Sequence, residues 1–391
     1  MSFQYITAFS YTRRIFFPAS TRGFSSIGCS ITPNSLSMAD WSELPKDLLN
    51  LISQRLQSPF YLLSFRSVCS SWRSSSSHLP FSHSITLNPT FSLSHRSLLL
   101  LTPPSTVPNH RPWLIKISHD PCARTTRLFH ALSRSQPKRP RFVLDLLPLH
   151  ALDLGREFRL SSACSSTECL FDEKIVLLSD KNDRFALLTI HISGKLALFR
   201  RGDSGWTVIP DMPTPYDDVC AFRGTFYAVD GNGRTVTVGI DAALRVVAER
   251  VFGGDKKFLV ECNGALMLVD LYLSTDYENL DEEEVGDIGW ERTVRFDVFR
   301  LNEVVGRWVE VASLEEWVLF LGDDCAFSAS AKELGVERGN YVVFRDDGLG
   351  AVRIGNGVGV FDLDDGRILP LSECPDFSKL FWPPPDWVRS H

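Results

Sequence analysis

The 391-residue chain has no C-x-x-C pair among its nine cysteines, and no paired histidine spacing that could complete a zinc site. Cys164 and Cys169 are the closest two and have no second pair to join. The expectation is reduced thiols packed as small core residues, as in a reducing compartment, with no metal and no cofactor. No apolar run approaches the ~18 residues that a membrane-spanning helix needs. An excess of basic charge is missing too: the formal net charge is −6, against the basic footprint of a nucleic-acid-binding chain. No G-x-S-x-G elbow is present, so nucleophilic catalysis has no local signature. Gly355-x-Gly357-x-Gly359 lacks the strand–helix setting and the lysine of a phosphate cradle, and reads as a turn between strands. The run from Asp276 to Asp287 has seven carboxylates without the Asp/Asn–Gly order of a calcium loop, and reads as a solvated insertion. Nothing here points to an enzyme.

What is present divides the chain in three. Residues 1–37 contain no Asp or Glu, three arginines and many Ser and Thr, a composition that suits a transit peptide or an extension ahead of a second start at Met38. The expectation is a disordered or targeting-like extension, removed or inert, and a chain resident in nucleus and cytoplasm. Residues 38–80 form a second part, helical in pattern from Trp41 to Arg73. Pro45 suits a first helical turn, Ser42 is available as a cap, and Leu48, Ile52 and Leu56 recur every four residues. After the break at Ser58-Pro59, Leu62, Phe65, Cys69 and Trp72 repeat the apolar stripe, with Val68 widening it. Two short helices cannot bury both stripes alone, so such a unit needs a partner or the rest of the chain.

Residues 81–391 read as β. Their first part is basic, with eight Lys or Arg and one acid between Arg111 and Phe142, and reads as a solvated loop containing the strand-like Trp113–Ile117. Seven of the nine histidines fall between His78 and His150; His191, in an apolar run, reads as a satisfied sheet residue. From about residue 170, short apolar runs alternate with turn signals such as Arg223-Gly224, Asn263-Gly264 and Asp364-Asp365-Gly366. Gly224–Asp230 aligns with Gly264–Asp270, and Asp217–Phe222 is echoed by Asp323–Phe327. Each member of the second pair follows a Trp-led strand, Trp206–Ile209 or Trp308–Val311. A period of ~40–50 residues with several strands per unit is the signature of a β-propeller, and ~310 residues at that period predict six or seven blades.

Leu44-Pro45-x-x-Leu48-Leu49-x-x-Ile52-x-x-x-Leu56, followed by Leu62-Leu63-x-Phe65-Arg66-x-Val68-Cys69-x-x-Trp72-Arg73, resembles an F-box. Further on come Pro112-Trp113-Leu114-Ile115-Lys116, Arg127-Leu128-Phe129-x-x-Leu132-Ser133 and Leu154-Gly155-Arg156-Glu157-Phe158-Arg159-Leu160. Asp217-Asp218-Val219-x-x-Phe222-x-Gly224-x-Phe226-Tyr227-Ala228-Val229-Asp230 and Phe258-Leu259-Val260-Glu261-x-x-Gly264 follow. Their order is similar to that of plant F-box proteins with a KIB-type, kelch-like propeller. The resemblance covers the chain from about Ala39 onward. It implies an α+β multidomain protein, a helical F-box ahead of a mainly-β propeller. It further implies a non-catalytic substrate receptor of a Skp–cullin–F-box ubiquitin ligase. Leu44, Pro45, Leu48, Ile52, Leu56, Leu62, Phe65, Val68 and Trp72 would then share two tasks, docking a Skp-type adaptor and holding the helices together. A cullin would be reached through the adaptor, and the propeller would bind a target protein. A scaffold without ligase function, routed to an organelle by residues 1–37, is the alternative reading.

Overall fold

Pro45 has no N–H to give a helix, so the first helix starts just after it, at Lys46, and the carbonyl of Pro45 accepts from Leu49 N at 3.1 Å. A computed structural model describes residues 41–56, 59–76, 85–86, 91–103, 111–120, 125–133, 149–162, 174–179, 184–251, 253–275, 291–345 and 357–389. The N-terminal extension and the acidic run 276–287 lie outside the described residues. The chain divides into two compact units at the junction of Pro80 and Phe81.

The first unit opens with a 3₁₀ turn, Trp41–Glu43, and has three helices: α1 (Lys46–Arg55), α2 (Pro59–Val68) and α3 (Ser70–Ser75). The sequence pattern predicts one helix where α2 and α3 stand. Cys69 separates them in an extended conformation, φ −160° and ψ 176°, while the apolar spacing runs on across the break. The joint is tied by Arg66, which donates to Ser76 O at 2.6 Å, and by Arg73 Nε, which donates to Arg66 O at 3.2 Å.

The second unit consists of five blades, antiparallel in their pairing except for one strand pair in the last. Blade I contains β1 (Ile85–Thr86), β2 (Phe91–Thr102), β3 (Trp113–Asp120), β4 (Thr125–His130) and β5 (His150–Ser162). Blade II contains β6 (Val176–Ser179), β7 (Phe185–Ile190), β8 (Leu196–Arg200) and β9 (Thr207–Val208). Blade III contains β10 (Tyr216–Phe222), β11 (Thr225–Asp230), β12 (Thr235–Val238) and β13 (Leu244–Ala248). Blade IV contains β14 (Lys256–Cys262), β15 (Ala265–Thr275), β16 (Glu291–Asn302) and β17 (Arg307–Glu310). Blade V contains β18 (Trp317–Leu321), β19 (Ala326–Ser330), β20 (Tyr341–Arg345), β21 (Val358–Asp362) and β22 (Arg367–Pro370), with the short helix α4 (Ala331–Leu334) between β19 and β20; α5 (Pro375–Ser378) and α6 (Asp386–Arg389) follow β22. Strands β5, β6, β10, β14 and β19 each meet the next around the ring, and β19 meets β5.

Five blades replace the six or seven predicted from length. The period holds for blades II and III and fails elsewhere. Blade I alone spans residues 85–162, with strands of 12 and 13 residues, and folds β5 back onto β2. In blade V, β18 pairs in parallel with β20, so the blade consumes an extra strand. The basic stretch is corrected too: within it, β3 and β4 are paired strands and Lys116 is fully buried. His191 lies one residue past β7, in a turn, where its ring meets Ser193 Oγ at 2.8 Å. Gly359 is inside β21, where a Cβ would come within 2.6 Å of the Phe344 ring.

Candidate adaptor face and propeller ring

At 100° per residue, Leu48, Leu51 and Ile52 share one flank of α1, while Leu49 and Ser53 turn to the adjoining flank. The first set is exposed, Leu48 by 48%, and Leu49 is fully buried. On α2, Phe65 is 5% exposed and packs tilted against Trp72 of α3 with ring centroids 4.6 Å apart, and Trp72 Nε1 donates to Trp41 O at 3.0 Å. Tyr61 and Val68 remain outside, Val68 by 55%. Of the residues singled out in the sequence, Pro45, Leu48, Ile52 and Val68 are therefore exposed; Leu44, Leu56, Leu62 and Trp72 are half-buried; Phe65 is interior. The four-residue repeat marks the open flank rather than the inner one. Leu49, which the repeat passes over, is the centre of the unit, and Trp41, Leu51 and Tyr61 extend its apolar exterior. The helical wheel holds that signal for Leu51, one turn before Arg55; Trp41 lies outside any helix and gives none.

In the propeller, three buried ion pairs each place one member on a ring-forming strand. Lys116, fully buried, pairs with Glu157, which Arg96 also reaches at 3.1 Å. Burial alone would discharge Lys116, yet the neighbouring Cys325 and Glu157 more than offset it and raise its pKa. Lys174, just before β6, pairs with Asp218 of β10 at 3.0 Å. Lys257 and Asp270 are both fully buried and 2.9 Å apart. Gly254 closes over that pair, its N–H donating to Asp270 at 3.0 Å; a Cβ there would lie 2.3 Å from the carboxylate.

The same strands join neighbouring blades. Asp217 and Asp218 of blade III accept from Lys257 N at 2.9 Å and Leu259 N at 2.8 Å of blade IV. Ser328 of blade V donates to Glu261 O of blade IV at 2.8 Å. Asp323 N of blade V donates to Leu132 O beside blade I at 2.9 Å, and Phe158 and Ile175 form a bridge between blades I and II. Every seam of the ring thus carries a polar tie. These carboxylates are occupied by lysines and backbone amides, and among the described residues no group of three His, Cys, Asp or Glu could hold a metal. The arrangement suits a rigid platform.

The comparisons decide the family. The KIB1-4 beta-propeller model matches residues 90–362 and the F-box domain model matches residues 41–84. The chain belongs to the KIB1-4 β-propeller family. Its F-box precedes the propeller. The chain is similar to the F-box protein SKIP23 of Arabidopsis thaliana, 45% identical over 395 aligned residues that span 90% of this chain and 97% of that one. F-box protein At2g17036 of the same plant is 36% identical, over 90% of this chain and 96% of its own length. This KIB1-4 member therefore has the short helical domain and the mainly-β propeller that its sequence predicts, with the blade number corrected.

One carboxylate in the ring stands apart. Burial lifts Glu261 from 4.5 to about 7, opposed only in part by Arg223. A raised carboxylate contributes stability that is fully present below the unfolded value and lost as pH rises through the folded one. The thermal midpoint should accordingly fall from pH 5 to pH 8, with Asp217, lifted to about 6 by burial, acting in the same sense. Glu261→Gln should flatten that decline in scanning fluorimetry. A decline equally steep in the variant would remove Glu261 as its cause.

Proposed function

We propose that this protein is the target-recognition subunit of a ubiquitin ligase. Its F-box docks a Skp-type adaptor and, through it, a cullin, while the propeller binds the target protein. The observation that carries the reading is the set of exposed apolar side chains, Leu48, Leu51 and Ile52 on one flank of α1 and Tyr61 and Val68 on α2, in a segment that matches the F-box. An apolar face of that kind marks an interaction surface. The relatives, similar to this chain over 90% of its length, are named F-box proteins, which supports the same assignment. Pro45 and half-buried Leu44 border this flank and belong to the docking surface. Leu56, Leu62 and Trp72 contribute their exposed parts to it, and Phe65 holds the helices together. The chain performs no chemistry itself. It supplies proximity, bringing a target lysine within reach of a ubiquitin thioester made elsewhere, and proximity alone can lower a barrier substantially. The ligase machinery works in nucleus and cytoplasm, so those are its compartments, and no cofactor is needed.

The test is assembly. Full-length chain co-expressed with a plant Skp-type adaptor and cullin should elute with both in one size-exclusion peak. A folded chain that elutes alone, with adaptor and cullin running together without it, ends the proposal.

A further inference from the structure

Ubiquitin transfer needs a particular nucleophile. A lysine ε-amine attacks the thioester carbonyl at the C-terminus of ubiquitin; the C–S bond breaks, an isopeptide C–N bond forms, and the donor thiol leaves with the proton the amine gives up. An arginine carries the same charge but does not deprotonate in proteins, so it has no lone pair with which to attack. A subunit of the ligase proposed above is held beside that thioester for as long as it waits for a target.

The chain has 10 lysines and 31 arginines. Between Lys195 and Lys332, the stretch containing β8 and β9 of blade II, all of blades III and IV and β18 and β19, there are ten arginines and two lysines, Lys256 and Lys257. Lys257 is fully buried against Asp270, so its amine is not accessible. Lys256, exposed beside the Phe258 ring, is the one accessible amine of that stretch among the described residues. Some arginines there use their guanidinium: Arg223 bridges Glu303 at 3.0 Å and Gly264 O at 2.6 Å. Arg245, Arg300 and Arg307 do not. All three are exposed, and among the described residues their side chains make no hydrogen bond or ion pair. Solubility would be served as well by lysine at these positions, and no contact requires the planar fork.

We infer that the surface of blades III and IV is kept clear of acceptor amines because the ubiquitin donor of this chain's own ligase can reach it. The inference rests on the ligase reading. Arginine there preserves charge while denying the donor a nucleophile, which protects the receptor during cycles without target.

The experiment introduces the missing amines. The triple variant Arg245→Lys, Arg300→Lys and Arg307→Lys keeps every charge on exposed positions, and an unchanged thermal midpoint confirms an intact fold. Wild type and variant, full length, are assembled with Skp-type adaptor, cullin–RING module, activating and conjugating enzymes, ATP and ubiquitin. Modified lysines are read as Gly-Gly remnants by mass spectrometry. Within residues 196–331 the wild type should carry remnants on no residue but Lys256, and the variant should gain them at 245, 300 and 307. An assembled, discharging ligase that leaves all three new lysines bare overturns the inference, whether or not lysines elsewhere are modified. A chain that binds no adaptor in the same samples overturns the ligase reading and this inference with it.

Discussion

Replacing Leu48 and Val68 together with alanine should lower affinity for the Skp-type adaptor roughly a thousandfold while both units stay folded. Truncation of central apolar anchors at an interface commonly costs ~2 kcal/mol or more each, and two such losses give about 4 kcal/mol, or three decades in Kd. Both side chains project from the first unit, so little packing is lost with them. The control is Leu49→Ala or Phe65→Ala. These side chains are interior, and removing either should cost ~2–5 kcal/mol of stability and melt the helices. The pattern therefore separates docking from folding: the exposed pair removes binding and keeps helical circular dichroism, and the interior substitutions lose both. Titration calorimetry against purified adaptor reads the first effect. Wild-type affinity in the Leu48/Val68 variant would place the adaptor on another surface.

How much of this could be read from the sequence varies with the range of the interaction. The helical stripe was legible because a helix repeats locally, and every position in it is fixed by its neighbours three and four residues away. Its inside and outside were harder to tell apart. Leu48 and Leu49 are adjacent leucines with opposite fates, decided by where α2 and α3 pack, which no spacing within α1 encodes. The Gly224–Asp230 and Gly264–Asp270 repeat was legible for the same reason as the helix: each is a turn followed by the second strand of a blade. Asp217–Phe222 and Asp323–Phe327 both contribute ring-forming strands, although one opens its blade and the other follows β18. That displacement, together with the long strands of blade I, breaks the period and hides the blade number. The buried ion pairs were not legible. Lys116 and Glu157 are 41 positions apart, Lys174 and Asp218 44, and each reads locally as surface charge until the blade in the first case and the ring in the second bring the partners together.

Removing the chain after Pro370 should prevent the propeller from folding, although every strand remains. The 19 described residues after that point lie beyond the match to the KIB1-4 family model, which ends at residue 362. Yet Phe377, Leu380, Phe381, Trp387 and Val388 are all buried. Leu380 O accepts from Leu114 N of blade I at 2.7 Å, and Trp387 Nε1 donates to Arg111 O at 3.1 Å. Phe381 stacks on His130 with centroids 5.1 Å apart, and Phe377 meets Tyr341 of blade V edge-on at 5.1 Å. Phe377, Leu380 and Phe381 join one core with Leu98, Leu100 and Leu114 of blade I and Val318, Phe320 and Val343 of blade V. The tail is thus the clasp between the last blade and the first. Burial holds His130 neutral, lowering its pKa to about 4, which keeps an unpaired charge out of that seam. A single Phe381→Ala should cost ~3–5 kcal/mol, a large part of the ~5–15 kcal/mol that holds a typical domain together. Loss of all five buried side chains exceeds it. Denaturant melts of the propeller should show a lowered midpoint for Phe381→Ala and no cooperative transition for the truncated chain. A truncated propeller that unfolds at the wild-type midpoint would mean that β5 and β19 close the ring unaided.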